Sequence, residues 1–514
     1  MIKLISFQLV LLFSRKIFAA TCIYRIDSGY QCDLIGAVIK TKSDILTIEG
    51  NHVDTYGDES VTCVNISNSN LAILPITVLD KFRCLRSLRI KKVRLRTIAD
   101  DAFKNCDVLQ IINLEQNLLT TLPSNVFVNC KELWSITIDQ SFITVLSPDI
   151  FSGLSQLTAL RVTNTPIYSI AKNTFQPLTS LTSLDLSGGT RLGSINSKVF
   201  APLLDLEYID LKGTMLPSSM LLSLFEHNTK LYSIDLSYNR MTSFEFLSLK
   251  FLISLRTLVL SNNYITSLPS DLLHGLSLLS GLYITDLMLS TVEAGAFKDN
   301  VKLYSLSLQN NKISSLSDNI FAPLAGLHTL ALSYNPLGNS ELRFLEPLIW
   351  LRILRLDYCG IKSIRAETLK NLKGLQLLYL NNNKITSFEP ETFKLQTSLT
   401  YLNFAGNYVR RLNSNSFGFN NNMDHMDIYS NEIDEIERDF FDNFPRITRI
   451  TSTNNPCIGD KYLYYKIDEL EELFAECHLN WVNTRTTSTL GAKSVKIPHF
   501  LIFLSLIFFI KTNL

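Results

Sequence analysis

From residue 61 to residue 456 the apolar positions recur with a single period. The segments 255–278 (LRTLVLSNNYITSLPSDLLHGLSL), 303–326 (LYSLSLQNNKISSLSDNIFAPLAG) and 375–398 (LQLLYLNNNKITSFEPETFKLQTS) superimpose as LxxLxLxxNxI, with phenylalanine or leucine eight residues later. Seventeen such units begin at 61, 85, 109, 133, 157, 181, 206, 231, 255, 279, 303, 327, 351, 375, 399, 423 and 447, without a gap between them. Side chains alternate along a strand, so the two leucines of LxL share a face. Leu306 and Leu308 therefore point inward and their neighbours outward. Each unit is expected to lay its strand parallel to the last, about 4.8 Å away.

After the strand the chain bends sharply and leaves backbone groups inside the coil that need partners. An asparagine both donates and accepts. It fills that slot in nine units, at Asn117, Asn239, Asn263, Asn311, Asn335, Asn383, Asn407, Asn431 and Asn455. Ser69, Ser141 and Thr165 substitute in part, whereas Val93 and Leu287 cannot, which predicts irregular rungs at those two. The later phenylalanines, among them Phe103, Phe127, Phe151, Phe175, Phe297, Phe321, Phe393, Phe417 and Phe441, are expected to close the core from the convex side.

A period of about 20 to 29 residues with this pattern resembles the leucine-rich repeat. Over about residues 21–480 the chain is similar to extracellular leucine-rich repeat proteins of the typical 24-residue class. Its plan resembles insect GPI-anchored adhesion proteins of the connectin and chaoptin kind, and the ectodomains of Toll-like receptors. The resemblance implies an α/β repeat solenoid: a leucine-rich repeat horseshoe with a parallel β-sheet on its concave face and disulfide-stapled caps. Residues 21–60, with Cys22 and Cys32, lie outside the repeat and read as the N-terminal cap. Residues 457–480 resemble a C-terminal cap, with a Cys457–Cys477 pairing implied. Cys63 and Cys84 are further disulfide candidates. Cys106 and Cys130 share one repeat position on successive rungs and either bond or remain buried thiols; Cys359 occupies an asparagine slot and is expected to be buried and free.

The ends place this solenoid. Residues 1–20, MIKLISFQLVLLFSRKIFAA, have a lysine, an apolar stretch and small residues before Thr21, the layout of a secretory signal peptide. Residues 481–499 form a polar linker holding Ser488 and Gly491, and 500–514, FLIFLSLIFFIKTNL, is apolar but shorter than the roughly 20 residues a spanning helix needs. Small site, polar spacer and short apolar end match a glycosylphosphatidylinositol attachment signal, with Ser488 and Gly491 as candidate sites. The expected location is the outer face of the plasma membrane, with a short single span or secretion as alternatives.

Formal net charge is +1 over 514 residues, so a charged partner has to be read by a local patch, and no nucleic acid partner is expected. Three outward-facing groups are candidates. Arg86, Arg89, Lys91 and Lys92 form a basic patch on the second unit, beside Asn65, which carries the one N-x-S/T sequon. Asp185, Asp210 and Asp235 repeat one position on three successive units. Tyr232, Tyr238, Tyr283, Tyr304, Tyr334, Tyr358, Tyr379, Tyr401 and Tyr429, interspersed with Arg256, His328, Arg352 and Arg355, form the main candidate surface. Tyrosine and arginine are enriched among residues that carry interface energy.

The seven histidines are scattered, no GxSxG motif occurs and no cysteine pair has metal-ligand spacing, so neither an enzyme nor a cofactor is expected. The leading expectation is a cell-surface protein for adhesion or recognition of an extracellular protein, a homophilic partner included. An innate-immune recognition or co-receptor protein is the alternative, and a matrix component the weaker one.

Overall fold

The computed structural model describes residues 16–457, apart from 28, 43, 194, 217–222 and 245–248, together with 474–478. Ser488, Gly491, the apolar tail, most of the leader and most of the C-terminal cap lie outside the described residues. The chain divides into two compact units, Met1–Gly360 and Ile361–Leu514.

In the first unit every repeat contributes one short parallel strand. From Cys63–Ile66 through Ser87–Lys91, Ile111–Glu115 and onward to Ile353–Arg355 they pair in register, with Leu88, Ile112, Ile136 and Leu160 successive partners on the inward side. In the second unit Leu377–Tyr379, Tyr401–Asn403, His425–Asp427 and Arg449–Thr451 do the same. The inward residues are essentially fully buried. Behind them the phenylalanines stack from rung to rung, Phe175 on Phe200 at 5.9 Å and Phe393 on Phe417 at 4.7 Å. In the repeat that begins at 423 Phe440, not Phe441, enters the core, and Phe441 stacks on Phe474 of the cap at 5.1 Å.

The asparagine slot is a ladder of bonds between rungs. Asn335 Nδ2 donates to Leu308 O at 2.9 Å and to Leu332 O at 2.8 Å, while its Oδ1 accepts from Ile313 N–H at 3.0 Å. Each asparagine therefore serves its own turn and the one before it. This explains why the rungs at Val93 and Leu287 keep strand register, contrary to expectation. The next asparagine supplies them: Asn117 Oδ1 accepts from Val93 and Leu95 N–H, and Asn311 Oδ1 from Leu289 N–H, all at 3.2 Å. Of the partial substitutes, Ser69 and Thr165 hydrogen-bond within the turn, whereas Ser141 Oγ is buried without a partner. Cys359 is buried and free, and its Sγ donates to Leu332 O at 3.3 Å in the asparagine's place.

The N-terminal cap is a hairpin, Ile17–Ile26 antiparallel to Tyr30–Ile35, closed by Cys22–Cys32. Tyr30–Ile35 also pairs parallel with Cys63–Ile66, so the second half of the cap is itself a first rung. Cys32 faces Val64, an offset longer than the repeat, which hid this rung from the periodicity. Ile17 to Ala20, assigned above to the leader, begin the first strand and pair with Ile45 to Ile48. Cys106–Cys130 and Cys457–Cys477 are bonded. Cys63 and Cys84 are free, against expectation. The register partner of Cys63 is Ser87, and Cys84 lies in the turn that precedes that strand.

The same register lines up Asp185, Asp210 and Asp235 as direct neighbours on adjacent strands. Arg161 lies 3.3 Å from Asp185, and Asp235 accepts from Ser237 N–H and Oγ–H. Asp210, in the middle, accepts from Lys212 N–H at 2.8 Å. Burial first, then the charges of Asp185 and Asp235, push its carboxyl from 3.8 to about 6. The row is thus largely settled by local partners, with residual repulsion at its centre.

Two outcomes are expected. Asn335→Ala orphans the buried Ile313 N–H and takes one of two side-chain donors from Leu308 O, which keeps Asn311, and from Leu332 O, which keeps Cys359; it should cost about 2 kcal/mol, read by chemical denaturation, and a loss below about 1 kcal/mol would show the ladder to be redundant. Because the folded pKa of Asp210 is raised, its contribution to stability is present below the unfolded value of 3.8 and lost as pH rises through about 6. Asp210→Asn should therefore raise the thermal midpoint at pH 7 and leave it little changed at pH 4. Equal effects at both pH values would refute the assignment.

Candidate functional site

The strand register sorts the tyrosines into columns. Of the nine candidates six are exposed: Tyr232, Tyr238, Tyr283, Tyr304, Tyr334 and Tyr358. Tyr379, Tyr401 and Tyr429, in the second unit, are half-buried, so the expectation of nine exposed tyrosines is corrected. Tyr401 shows why. Its hydroxyl donates to Asp427, accepts from Asn403 Nδ2 at 3.0 Å, and is raised well above the ordinary phenol range by burial and then by Asp427. His425 Nε2 meets the same carboxylate at 2.9 Å. These groups bond to each other within their sheet rather than present themselves outward.

In the first unit two stacked pairs of rings lie on three successive repeats, beginning at 303, 327 and 351. At the start of the strands Tyr304 stacks on His328 at 4.2 Å, and Arg352 follows on the next rung, its N–H bonded to His328 O. At the far end of the same strands Tyr334 stacks on Tyr358 at 4.3 Å with rings 10° apart. Six residues separate the two columns, about 20 Å of extended chain. Between them the outward positions are small and largely covered: Ser305 and Thr329 are half-buried, and Ser307, Ala331 and Ser333 are buried. Arg355, exposed, and Asp357, which accepts from Ser333 Oγ–H at 2.6 Å, close this floor on the third rung. Two aromatic rims thus flank a polar floor of short side chains.

The rim at the strand ends has a peculiar backbone. The position just before the asparagine slot is left-handed in rung after rung, and asparagine or glycine commonly fills it, as at Asn164, Gly188, Asn262, Asn310 and Asn382. Tyr238, Tyr334 and Tyr358 adopt the same conformation, at φ 59°, 60° and 57°. A residue with a bulky Cβ pays about 1 kcal/mol there relative to glycine or asparagine. Lys212 Nζ sits over the Tyr238 ring at 5.0 Å.

Trp350 and Ile349 were missed from sequence. Both are exposed, directly before Leu351, and extend the edge that carries Arg352. The available signal was tryptophan at a repeat position that holds Lys302, Gly326 and Gly374 in neighbouring units. The other groups lie elsewhere. Arg86, Arg89, Lys91 and Lys92 are all exposed on one rung, with Lys91 Nζ 3.0 Å from Glu115. Asn65 pairs in register with Arg89, and its Nδ2 donates to Asp33 at 2.8 Å.

Comparison with known proteins agrees with this geometry. The leucine-rich repeat family model matches residues 229–286, 279–337 and 350–409, and the BspA type leucine-rich repeat region model matches 77–203 and 386–513. Among curated proteins none matches the sequence. Of solved structures, the Toll–Spatzle complex of Drosophila is similar at 19% identity and a TM-score of 0.62, over 85% of this chain and 68% of that one. TLR13 in its complex with ssRNA13 is similar at 21% and 0.54, over 82% and 65%, and a leucine-rich repeat protein of Leptospira interrogans at 20% and 0.61, over 82% and 96%. The chain thus spans about two thirds of the Toll and TLR13 chains, and identities this low speak to fold. Repeat, sheet and matches converge on one conclusion: this chain belongs to the leucine-rich repeat proteins.

Proposed function

We propose that this is a non-enzymatic recognition protein of the cell surface that binds an extracellular protein on the outward sheet face of the repeats at 303, 327 and 351. The observation that carries the reading is tyrosine at a left-handed turn. Tyr334 and Tyr358 occupy a conformation in which asparagine, used by most neighbouring rungs, is more stable. Folding alone does not favour such a choice, and strained positions cluster at functional sites. Stacked, exposed aromatics supply large contact area at low entropic cost. Arg355 and Asp357 offer one charge of each sign for register. A strand-like segment of a protein partner fits this layout, and a second copy of the chain is one candidate.

The related fold of Toll is known in complex with Spatzle, a protein, in a system named for both development and innate immunity. That likeness supports protein recognition and favours, as a second reading, an innate-immune receptor or co-receptor using the same face. The chain is held at the outer leaflet, in this reading, by a lipid attached at Ser488 or Gly491.

The full chain, expressed on non-adherent cells, is tested for aggregation and against a panel of extracellular proteins. Tyr334→Asn with Tyr358→Asn should weaken whichever binding is found by about tenfold to a hundredfold, while the thermal midpoint stays level or rises. Undiminished binding would sink this surface. Binding of microbial surfaces without aggregation would favour the immune reading. Phosphatidylinositol-specific phospholipase should release the protein from cells; a mature chain that retains residues 500–514 would overturn the anchor.

A further inference from the structure

We infer that the repeat at 85–108 carries a second binding site, separate from the aromatic face, for a linear sulfated polysaccharide. Six cations are exposed on this one rung: Arg86, Arg89, Lys91, Lys92, Arg94 and Arg96. Their presentation is built into the backbone. Leu88 and Ile90 point inward along the strand, which turns Arg89 and Lys91 outward. In the turn Val93 and Leu95 are buried, and both their N–H groups are held by Asn117 Oδ1 at 3.2 Å. That anchorage fans Lys92, Arg94 and Arg96 to the outside. Lys92 and Arg94 adopt left-handed conformations, at φ 55° and 63°, where asparagine or glycine is the easier choice.

Little in the surroundings neutralises this charge. Among the described residues Lys91 is the one member paired to a carboxylate, at 3.0 Å from Glu115. Asp33, two rungs away, is engaged by Arg25 at 2.9 Å and by Asn65. Apart from Glu115 opposite Lys91, the adjoining rungs present neutral groups at the matching positions: Thr62, Asn65 and Asn68 on one side, Gln110, Asn113 and Gln116 on the other. In a chain of net charge +1, a concentration of this kind is a local feature.

The shape selects the ligand. Arg86 to Lys91 alone span about 16 Å of extended chain, and the track is one rung, about 4.8 Å, wide. A single file of cations lined by amides matches a polymer bearing regularly spaced sulfates and free hydroxyls: sulfates pair with the cations, hydroxyls with the amides. A membrane surface is a poorer fit, because residues 57–107 expose no large apolar side chain that would enter a bilayer.

The test is heparin-affinity chromatography of the purified full chain, with a variant carrying Arg86→Gln, Arg89→Gln, Lys92→Gln and Arg94→Gln. Glutamine already occupies the left-handed position at Gln116 and Gln140, so this variant is expected to fold. A control of equal charge change carries Lys172→Gln, Arg191→Gln, Lys298→Gln and Lys302→Gln. Wild type and control should be retained above physiological salt and the variant should elute early, with the slope of log affinity against log salt reduced by about one for each lost contact. Desulfated heparin should retain none of the three. Equal retention of variant and wild type, or equal loss in the control, would overturn the site. So would retention on phosphatidylserine vesicles but not on heparin, which would assign the track to a lipid surface.

Discussion

Every rung of this molecule depends on resolving one conflict. Each coil has to turn sharply after its strand, and the turn buries backbone N–H and C=O groups that an apolar core cannot satisfy. Asparagine resolves it because one planar amide donates in two directions and accepts in a third. Asn335 shows the arrangement, reaching Leu308 O, Leu332 O and Ile313 N–H from a fully buried position. Since each amide spans two rungs, the bonding passes from repeat to repeat, and a turn with valine or leucine in the slot is rescued by its successor.

That same turn shapes the surface. With the slot residue pulled inward, the residue before it is forced to positive φ, where the backbone prefers asparagine or glycine. Departures from that preference are therefore informative. They occur as tyrosine at 238, 334 and 358 and as lysine at 92, and also as glutamine at 116 and 140, aspartate at 286 and serine at 430; Tyr334, Tyr358 and Lys92 lie on the rungs of the aromatic rims and the cationic track. The acidic row is the contrasting case: Arg161, Ser187, Lys212 and Ser237 supply its members with partners from within the sheet.

Period, strand face, most of the buried phenylalanines and the asparagine slot were legible in the amino-acid sequence, because each follows from local alternation and from the hydrogen-bonding needs of a turn repeated many times; the reach of each asparagine into the preceding turn, which keeps the rungs at Val93 and Leu287 regular, was not. The first rung at Tyr30–Ile35 was not legible, since the longer offset from Cys32 to Val64 breaks the period. Nor were the free states of Cys63 and Cys84, which follow from register rather than from proximity in sequence.

For the site, the sequence by itself determined that tyrosine, arginine and histidine face away from the core, as alternation requires. Which of them form a surface was decided by tertiary structure alone. Tyr304 and Tyr401, second and third in their units, both read as outward-facing, yet Asp427 on the next strand captures the Tyr401 hydroxyl, while Tyr304 finds His328 and stays exposed. Repeat position sets the direction of a side chain; its availability depends on the neighbours that stacking brings to within a strand spacing, and those lie a full repeat away in the chain.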